Sequence, residues 1–186
     1  SVLICFVIGV PLGVIASYNK WYRDIQNVVL DAMQTLPYFC YLIPVLMFFG
    51  GNIVSAVIAT VIYSVPPIIR LTALGLSQVS GSYSEVSKSF GGTGIQTLKK
   101  VKFPLAVPSL VMGFNQTVIM AFAMQIVTPL IGGKGLGLQV FNALQRSDTG
   151  RGLSAGLAIV LLAIIIDRIT HAWTKKQRQA LGLDKS

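Results

Sequence analysis

Few side chains in this 186-residue chain could make or break a bond. The one histidine, His171, stands alone just past an apolar run, and Cys5 and Cys40 lie inside apolar runs without a partner at ligand spacing, so neither a metal site nor a disulfide is expected. Gly132-Gly133-Lys134-Gly135-Leu136-Gly137 suggests a phosphate cradle, but no Ser or Thr follows the lysine, and the reading is a flexible hinge. No G-x-x-x-x-G-K-[ST] occurs, so ATP binding through a P-loop is not expected. What remains is recognition chemistry. Gln34, Thr35, Tyr38, Tyr41, Asn115, Gln116 and Gln125 lie within apolar stretches, where an unsatisfied donor is costly, so they either hydrogen-bond between helices or wall a path. A second constellation is the polar stretch at residues 71–103. There Ser82-Tyr83-Ser84-Glu85 and Thr93-Gly94-Ile95-Gln96 each fit a capping box, in which a hydroxyl accepts from the third helical N–H and the acidic or amide side chain reaches back. Gly91 and Gly92 between them permit a turn with positive φ that a Cβ would resist. The expected product is a helix, a turn and a second helix, lying along a membrane and able to project into a partner's groove.

The elements that must carry these groups follow from hydropathy. Mean hydropathy is +0.71 and 11% of residues are charged, against about 25% in soluble proteins, so lipid must be the solvent for most of the surface. Spanning takes about 20 apolar residues, and five blocks approach that: 2–17, 25–49, 53–69, 104–131 and 153–169. Pro11 should kink the first, and Pro37 and Pro44 should bend the second. Gly50-Gly51-Asn52 makes the tight connection to the third. The length leaves room for one membrane domain, residues 1–186, and none for a nucleotide-binding domain. Ser1 opens directly on an apolar run without a basic n-region, so the expectation is a truncated or processed chain missing upstream helices, not a signal peptide.

Charge placement orients the spans. In a five-span layout only Lys134, Arg146 and Arg151 fall on one side, and the other twelve of the 15 basic residues fall on the opposite side. The positive-inside rule then puts residues 71–103 and the C-terminus in the cytoplasm, and the net charge of +9 needs no nucleic acid to explain it. Trp21, Tyr22 and Trp173 fit a cytoplasmic aromatic belt, and Gly152 with Gly156 reads as a possible close helix contact. Asp31, Arg70, Asp167 and Arg168 fall near predicted span ends, leaving the span centres uncharged. Ion-driven carriers usually keep ionisable groups at midmembrane, so the energy source is expected to be external.

Glu85-Val86-Ser87, three residues, Gly91, nine residues, then Val101-Lys102-Phe103-Pro104 resembles the E-A-A-x3-G-x9-I-x-L-P loop by which permease subunits of ABC importers engage their ATPase. Val86 and Ser87 replace the two alanines and Phe103 replaces leucine. The likeness narrows along the chain. Asp31-Ala32-Met33-Gln34-Thr35-Leu36-Pro37, Tyr41-Leu42-Ile43-Pro44, Pro66-Pro67-Ile68-Ile69-Arg70-Leu71-Thr72, Gly113-Phe114-Asn115-Gln116-Thr117 and Leu144-Gln145-Arg146 are similar to the permeases for glycine betaine, proline betaine, choline and carnitine.

That resemblance implies an all-α membrane protein with the five-transmembrane-helix core of the type I ABC importer permease fold and a cytoplasmic coupling helix within residues 71–103. It implies a homodimer in a bacterial inner membrane. Glu85, Val86, Ser87, Gly91 and Pro104 would meet ATPase subunits that carry ATP and Mg, and a substrate-binding protein would deliver solute outside. The chain itself would be no enzyme and hold no cofactor. An importer for another amine or amino acid, an ATP-independent channel or carrier, and a purely structural subunit stay open as alternatives. Spans without central charge suit a net-neutral solute such as a betaine, with Tyr38 and Tyr41 facing the trimethylammonium and Gln34 or Asn115 facing the carboxylate.

Overall fold

The computed structural model describes residues 1–180, with side chains through Trp173 and at Lys175. Lys185 lies outside the described residues, as do the side chains of Lys176 and Arg178, all three counted on the basic side above. The helices are α1 (Val2–Tyr18), α2 (Lys20–Thr35), α3 (Phe39–Phe49), α4 (Ile53–Ser64), α5 (Pro66–Ser77), α6 (Gly81–Ser89), α7 (Gly94–Thr97), α8 (Phe103–Gln125), α9 (Leu136–Gln145) and α10 (Thr149–Ala180). A π-helical segment, Leu98–Lys102, joins α7 to α8, and a 3-10 turn, Thr128–Ile131, follows α8.

Length and hydropathy qualify three of these as crossings: Ile53–Ser77, Gly94–Gln125 and Thr149–Trp173. The pair α2 and α3 makes a fourth only if taken together, because it bends by 94° between the two helices, and α1 has 17 residues. The five apolar blocks thus appear as three long helices, a broken pair and a short helix. The helix breaks at Pro37. Both α1 and α3 continue through Pro11 and Pro44.

The α4–α5 rod is the hub, 56% buried, while the equivalent stretch of α10 is 11% buried and lies at the periphery. Three apolar clusters run along the hub. Leu42, Val45, Ala56, Ala59 and Met124 fill one end; Cys5, Leu30, Val65, Ile68 and Ile69 fill the middle; Leu76, Ala106 and Leu110 fill the end nearest the polar turn. Close approach rests on missing side chains. A Cβ at Gly9 would overlap Ile68, one at Gly13 would lie 2.7 Å from the Ile69 carbonyl oxygen, one at Gly75 2.6 Å from Ser109, and one at Gly113 3.2 Å from the Ile68 Cα. Between helices in lipid, packing of this kind supplies much of the cohesion. The expected pair behaves differently: Gly152 has only Ala143 at 3.5 Å and Gly156 has nothing within 4 Å. Gly9 and Gly13, spaced identically, hold the contact instead.

Ionisable groups also depart from expectation. Helix α5 runs seven residues beyond Arg70, and Asp31 lies eleven residues into α2, so both are inside helices, not at span ends. They form an ion pair at 2.5 Å.

Candidate functional site

The polar turn is narrower than residues 71–103, because α5 claims its first seven residues and the second helix is continuous with a long one. Among the described residues the connection reduces to residues 78–93 around α6. Its start is not the expected Ser82 and Glu85 box: Ser80 is the N-cap, its hydroxyl accepting from the Ser82 N–H at 3.3 Å, and Glu85 is left free and exposed. Of the serines at 80, 82 and 84, Ser80 has the non-helical backbone that an N-cap takes, with φ −50° and ψ 139°. The second box forms as read, with Gln96 N–H donating to Thr93 Oγ1 at 3.4 Å and Thr93 N–H donating to Gln96 Oε1 at 2.9 Å.

Gly91 has φ +76°, the left-handed conformation that glycine tolerates. Gly92 is needed for a different reason: a Cβ there would lie 2.7 Å from the Ser87 carbonyl oxygen. Ser87 in turn hydrogen-bonds Thr97 through the two hydroxyls at 2.8 Å, tying α6 to α7, which an alanine could not do. Val86 is 55% exposed beside Tyr83 and Phe90, so an apolar ridge flanks Glu85 on an otherwise polar turn. Phe90 is 88% exposed. A groove of about 450 Å³ between α6 and the π segment is lined by Tyr83, Val86, Phe90, Gln96 and Lys100. Pro104, half-buried, sits just after the π segment. It has no N–H to give Lys100, and the helix widens immediately before it, with Phe103 N–H reaching back to Leu98. This arrangement can grip a protein surface. It offers no nucleophile or metal ligand set.

The polar groups in the apolar helices fall into two sets. Gln34, Thr35, Tyr38 and Tyr41 surround the break. Pro37 lacks the N–H that would have bonded Met33 O, and the Tyr41 hydroxyl donates to that carbonyl instead, bridging the bend. Tyr41 is buried, with its ring edge-on to Tyr63 at 6.0 Å, so its phenol is already occupied. Tyr38 is 40% exposed against Phe39, Gln34 is exposed, and Thr35 donates to its own helix at Ala32 O.

On α8, Asn115 is buried and donates from Nδ2 to Asp167 Oδ1 of α10 at 3.1 Å, while its Oδ1 is buried without a protein partner. His171 lies 3.4 Å from the same Asp167 oxygen. Gln116 is exposed, and half-buried Gln125 ends the helix, its carbonyl accepting from Thr128. The sequence-derived list is thus split between two places, with no single pocket joining it. The glycine-rich segment expected as a hinge is closely packed: Gly132 lies against the Asn52 backbone, Gly133 against Thr128, and a Cβ on Gly137 would overlap the Gln125 carbonyl.

Three features escaped the sequence reading: the Gly9 and Gly13 crossing, the Tyr41 bridge and the Asp31–Arg70 pair. The i+4 spacing of the glycines was the only local signal among them.

Residues 9–179 match the family model described as binding-protein-dependent transport system inner membrane component. The chain is 46% identical over 96% of its length to the glycine betaine/carnitine transport permease protein GbuB of Listeria monocytogenes, covering 63% of that protein. It is 44% identical over 92% of its length to the glycine betaine transport system permease protein OpuAB of Bacillus subtilis, covering 61%. The chain therefore spans about three fifths of the length of these relatives. Its fold superposes on a chain of the MetNI methionine ABC transporter, in an inward-facing conformation, with TM-score 0.82 at 20% identity, covering 95% of this chain and 88% of that one.

Proposed function

The chain belongs to the family of inner membrane components of binding-protein-dependent transport systems, and from that premise we propose that it is the permease subunit of an ATP-driven importer for a quaternary-ammonium solute such as glycine betaine. Two copies pair around a path. Each copy offers α6 and the following turn to an ATPase subunit, and a substrate-binding protein supplies solute from outside. ATP and Mg belong to the ATPase, and this chain hydrolyses nothing.

The observation that carries the substrate is the set of relatives above 40% identity over nine tenths of the chain, each named for glycine betaine. The observation that supports ATPase engagement is the rigid turn at Gly91 and Gly92, with exposed Glu85, Val86 and Phe90 on its face. A grip of this kind suits a partner groove with an apolar floor and a cationic rim. Closure of the ATPases would draw two such turns together and bias the permease between inward- and outward-open states. Tyr38, exposed at the break, and Gln34 beside it are path candidates whose groups are free, as are Gln116 and Gln125 on α8. Tyr41 and Asn115 act by holding helices.

The test is uptake by liposomes holding the permease, its ATPase and its binding protein. ATP-dependent accumulation of labelled glycine betaine, or of an amine oxide that shares its N-methylated cation and oxyanion, is expected. Import of an unrelated amino acid with no quaternary-ammonium or amine-oxide uptake would refute the substrate, and ATP-independent uptake by the permease alone would refute the class.

A further inference from the structure

A polar stripe crosses the apolar surface of α2: Arg23, Asn27, Asp31 and Gln34 recur at steps of four, four and three, which places them on one face. Trp21, Ile25 and Val28, all more than half exposed, mark a different, apolar face of the same helix. Opposite the stripe, α5 contributes Arg70 and Ser77. The two helices enclose a groove of about 510 Å³ lined by Arg23, Asn27, Asp31, Arg70 and Ser77 over Ala73. Arg23 lies eight residues from Asp31, about 12 Å along the helix, so the ion pair is well inside the layer that the apolar faces define. At its inner end the stripe reaches Gln34, which adjoins the break and Tyr38.

Ionisable residues within membrane helices are costly, pair with one another and mark solute pathways. This pair is not sealed as a purely structural one would be. Asp31 is 61% and Arg70 37% exposed in their side chains, and Arg70 Nε is buried without a protein acceptor although its Nη2 donates to Asp31. Both signs are thus displayed along one open groove that leads from the break to the cytoplasmic end of α2.

We propose that the α2–α5 groove is a release site for a zwitterion, its cationic end facing Asp31 and its carboxylate facing Arg70 and Arg23. The assignment rests on the betaine-importer reading above. A free anion or an anionic lipid headgroup fits less well, because Asp31 faces the same space. Binding is weak by construction, since the solute has to share both charges with an existing pair, and weak binding is what release requires.

The experiment uses the complete complex in liposomes oriented with the permease's cytoplasmic face accessible. Exposed Cys40 is replaced by serine and Asn27→Cys is introduced in the groove. Modification by a charged thiol reagent is timed with and without glycine betaine, and at about twice the dissociation constant the solute slows it about threefold. Val28→Cys, on the apolar face, shows no protection. Adding Arg23→Gln, which removes a groove cation without touching the ion pair, weakens protection at least about twofold. Asp31→Asn abolishes it. Transport by the complex with Asn27 intact, in liposomes of the same orientation preloaded with binding protein and labelled glycine betaine, is measured in parallel as ATP-dependent release to the cytoplasmic side. Release without protection of Asn27→Cys overturns the groove while leaving the substrate reading intact, whereas absence of release overturns the substrate reading first. Protection by added anionic phospholipid with none by glycine betaine also overturns the groove.

Discussion

Replacing Gly13 by alanine adds one methyl at the α1–α5 crossing, where the new Cβ would lie 2.7 Å from the Ile69 carbonyl oxygen and 2.6 Å from the Thr72 Cβ. Neither is the free end of a flexible side chain, so α1 has to move as a body. Overpacking of this kind costs about 1–3 kcal/mol. The reporter is already in place. Cys5, about two helical turns toward the start of α1, is 0% exposed and lies 3.4 Å from Ser64 Oγ and 3.7 Å from Val61 O on α4. Its thiol reacts only when α1 lifts away. With Cys40 replaced by serine, the rate of Cys5 labelling in detergent or nanodiscs follows the undocked population. A loss of 1–3 kcal/mol raises that rate by about 5- to 150-fold, since each 1.4 kcal/mol is about tenfold. Gly156→Ala, with nothing within 4 Å, serves as the control and leaves the rate unchanged. Equal labelling rates in Gly13→Ala and the parent protein would show that the crossing is not held by close contact, and the account of the hub would fail.

Three further outcomes are expected. Tyr41→Phe keeps the ring against Tyr63 but leaves the Met33 carbonyl unpaired, destabilising the protein by about 1–3 kcal/mol, read as a lower thermal midpoint; an unchanged midpoint contradicts the bridging role. Gly91→Ala imposes a Cβ at φ +76°, a strain of about 1–2 kcal/mol, and is expected to weaken ATPase association without blocking insertion, as is Glu85→Lys; normal substrate-stimulated ATP hydrolysis in both would count against the docking assignment. For topology, Ser89→Cys should resist an impermeant reagent added outside intact cells and Ser147→Cys should react, and the opposite pattern reverses the orientation.

Local signals were read well and tertiary ones were not. The Thr93 and Gln96 box and the positive φ at Gly91 are decided within a few residues, and both appear where the sequence put them. The Ser82 and Glu85 box failed because a competing cap, Ser80, stood two residues earlier. Residues 25–49 read as one span because hydropathy sums composition and ignores direction. Pro37 signalled a bend, but neither its 94° size nor the Tyr41 hydroxyl that takes over the orphaned carbonyl from beyond the break has a local signal. Arg70 looked terminal because the apolar count stopped at Ile69, whereas α5 continues to Ser77, and Asp31 because the count began at Ile25, whereas α2 begins at Lys20. Their pairing across 39 residues has no local trace. Among glycines, spacing alone could not choose between Gly9 with Gly13 and Gly152 with Gly156, since the choice depends on which face meets a neighbour.

The continuous helix from Gly94 to Gln125 has a mechanical meaning. Its 32 residues make a beam about 48 Å long, with the polar turn at one end and the glycine-packed segment at the other. Gly113, pressed against the backbone of Ile68, divides it into arms of about 28 and 18 Å and is where a tilt would pivot. A tilt about that point swings the two tips in opposite senses, and Gly137, resting on the Gln125 carbonyl, would follow the tip at Gln125. The beam departs from α geometry at the π segment just before Pro104, on the long arm. Stiffening or loosening those five residues should therefore change how much of a displacement at the turn arrives at the far face, with no contact at either end altered.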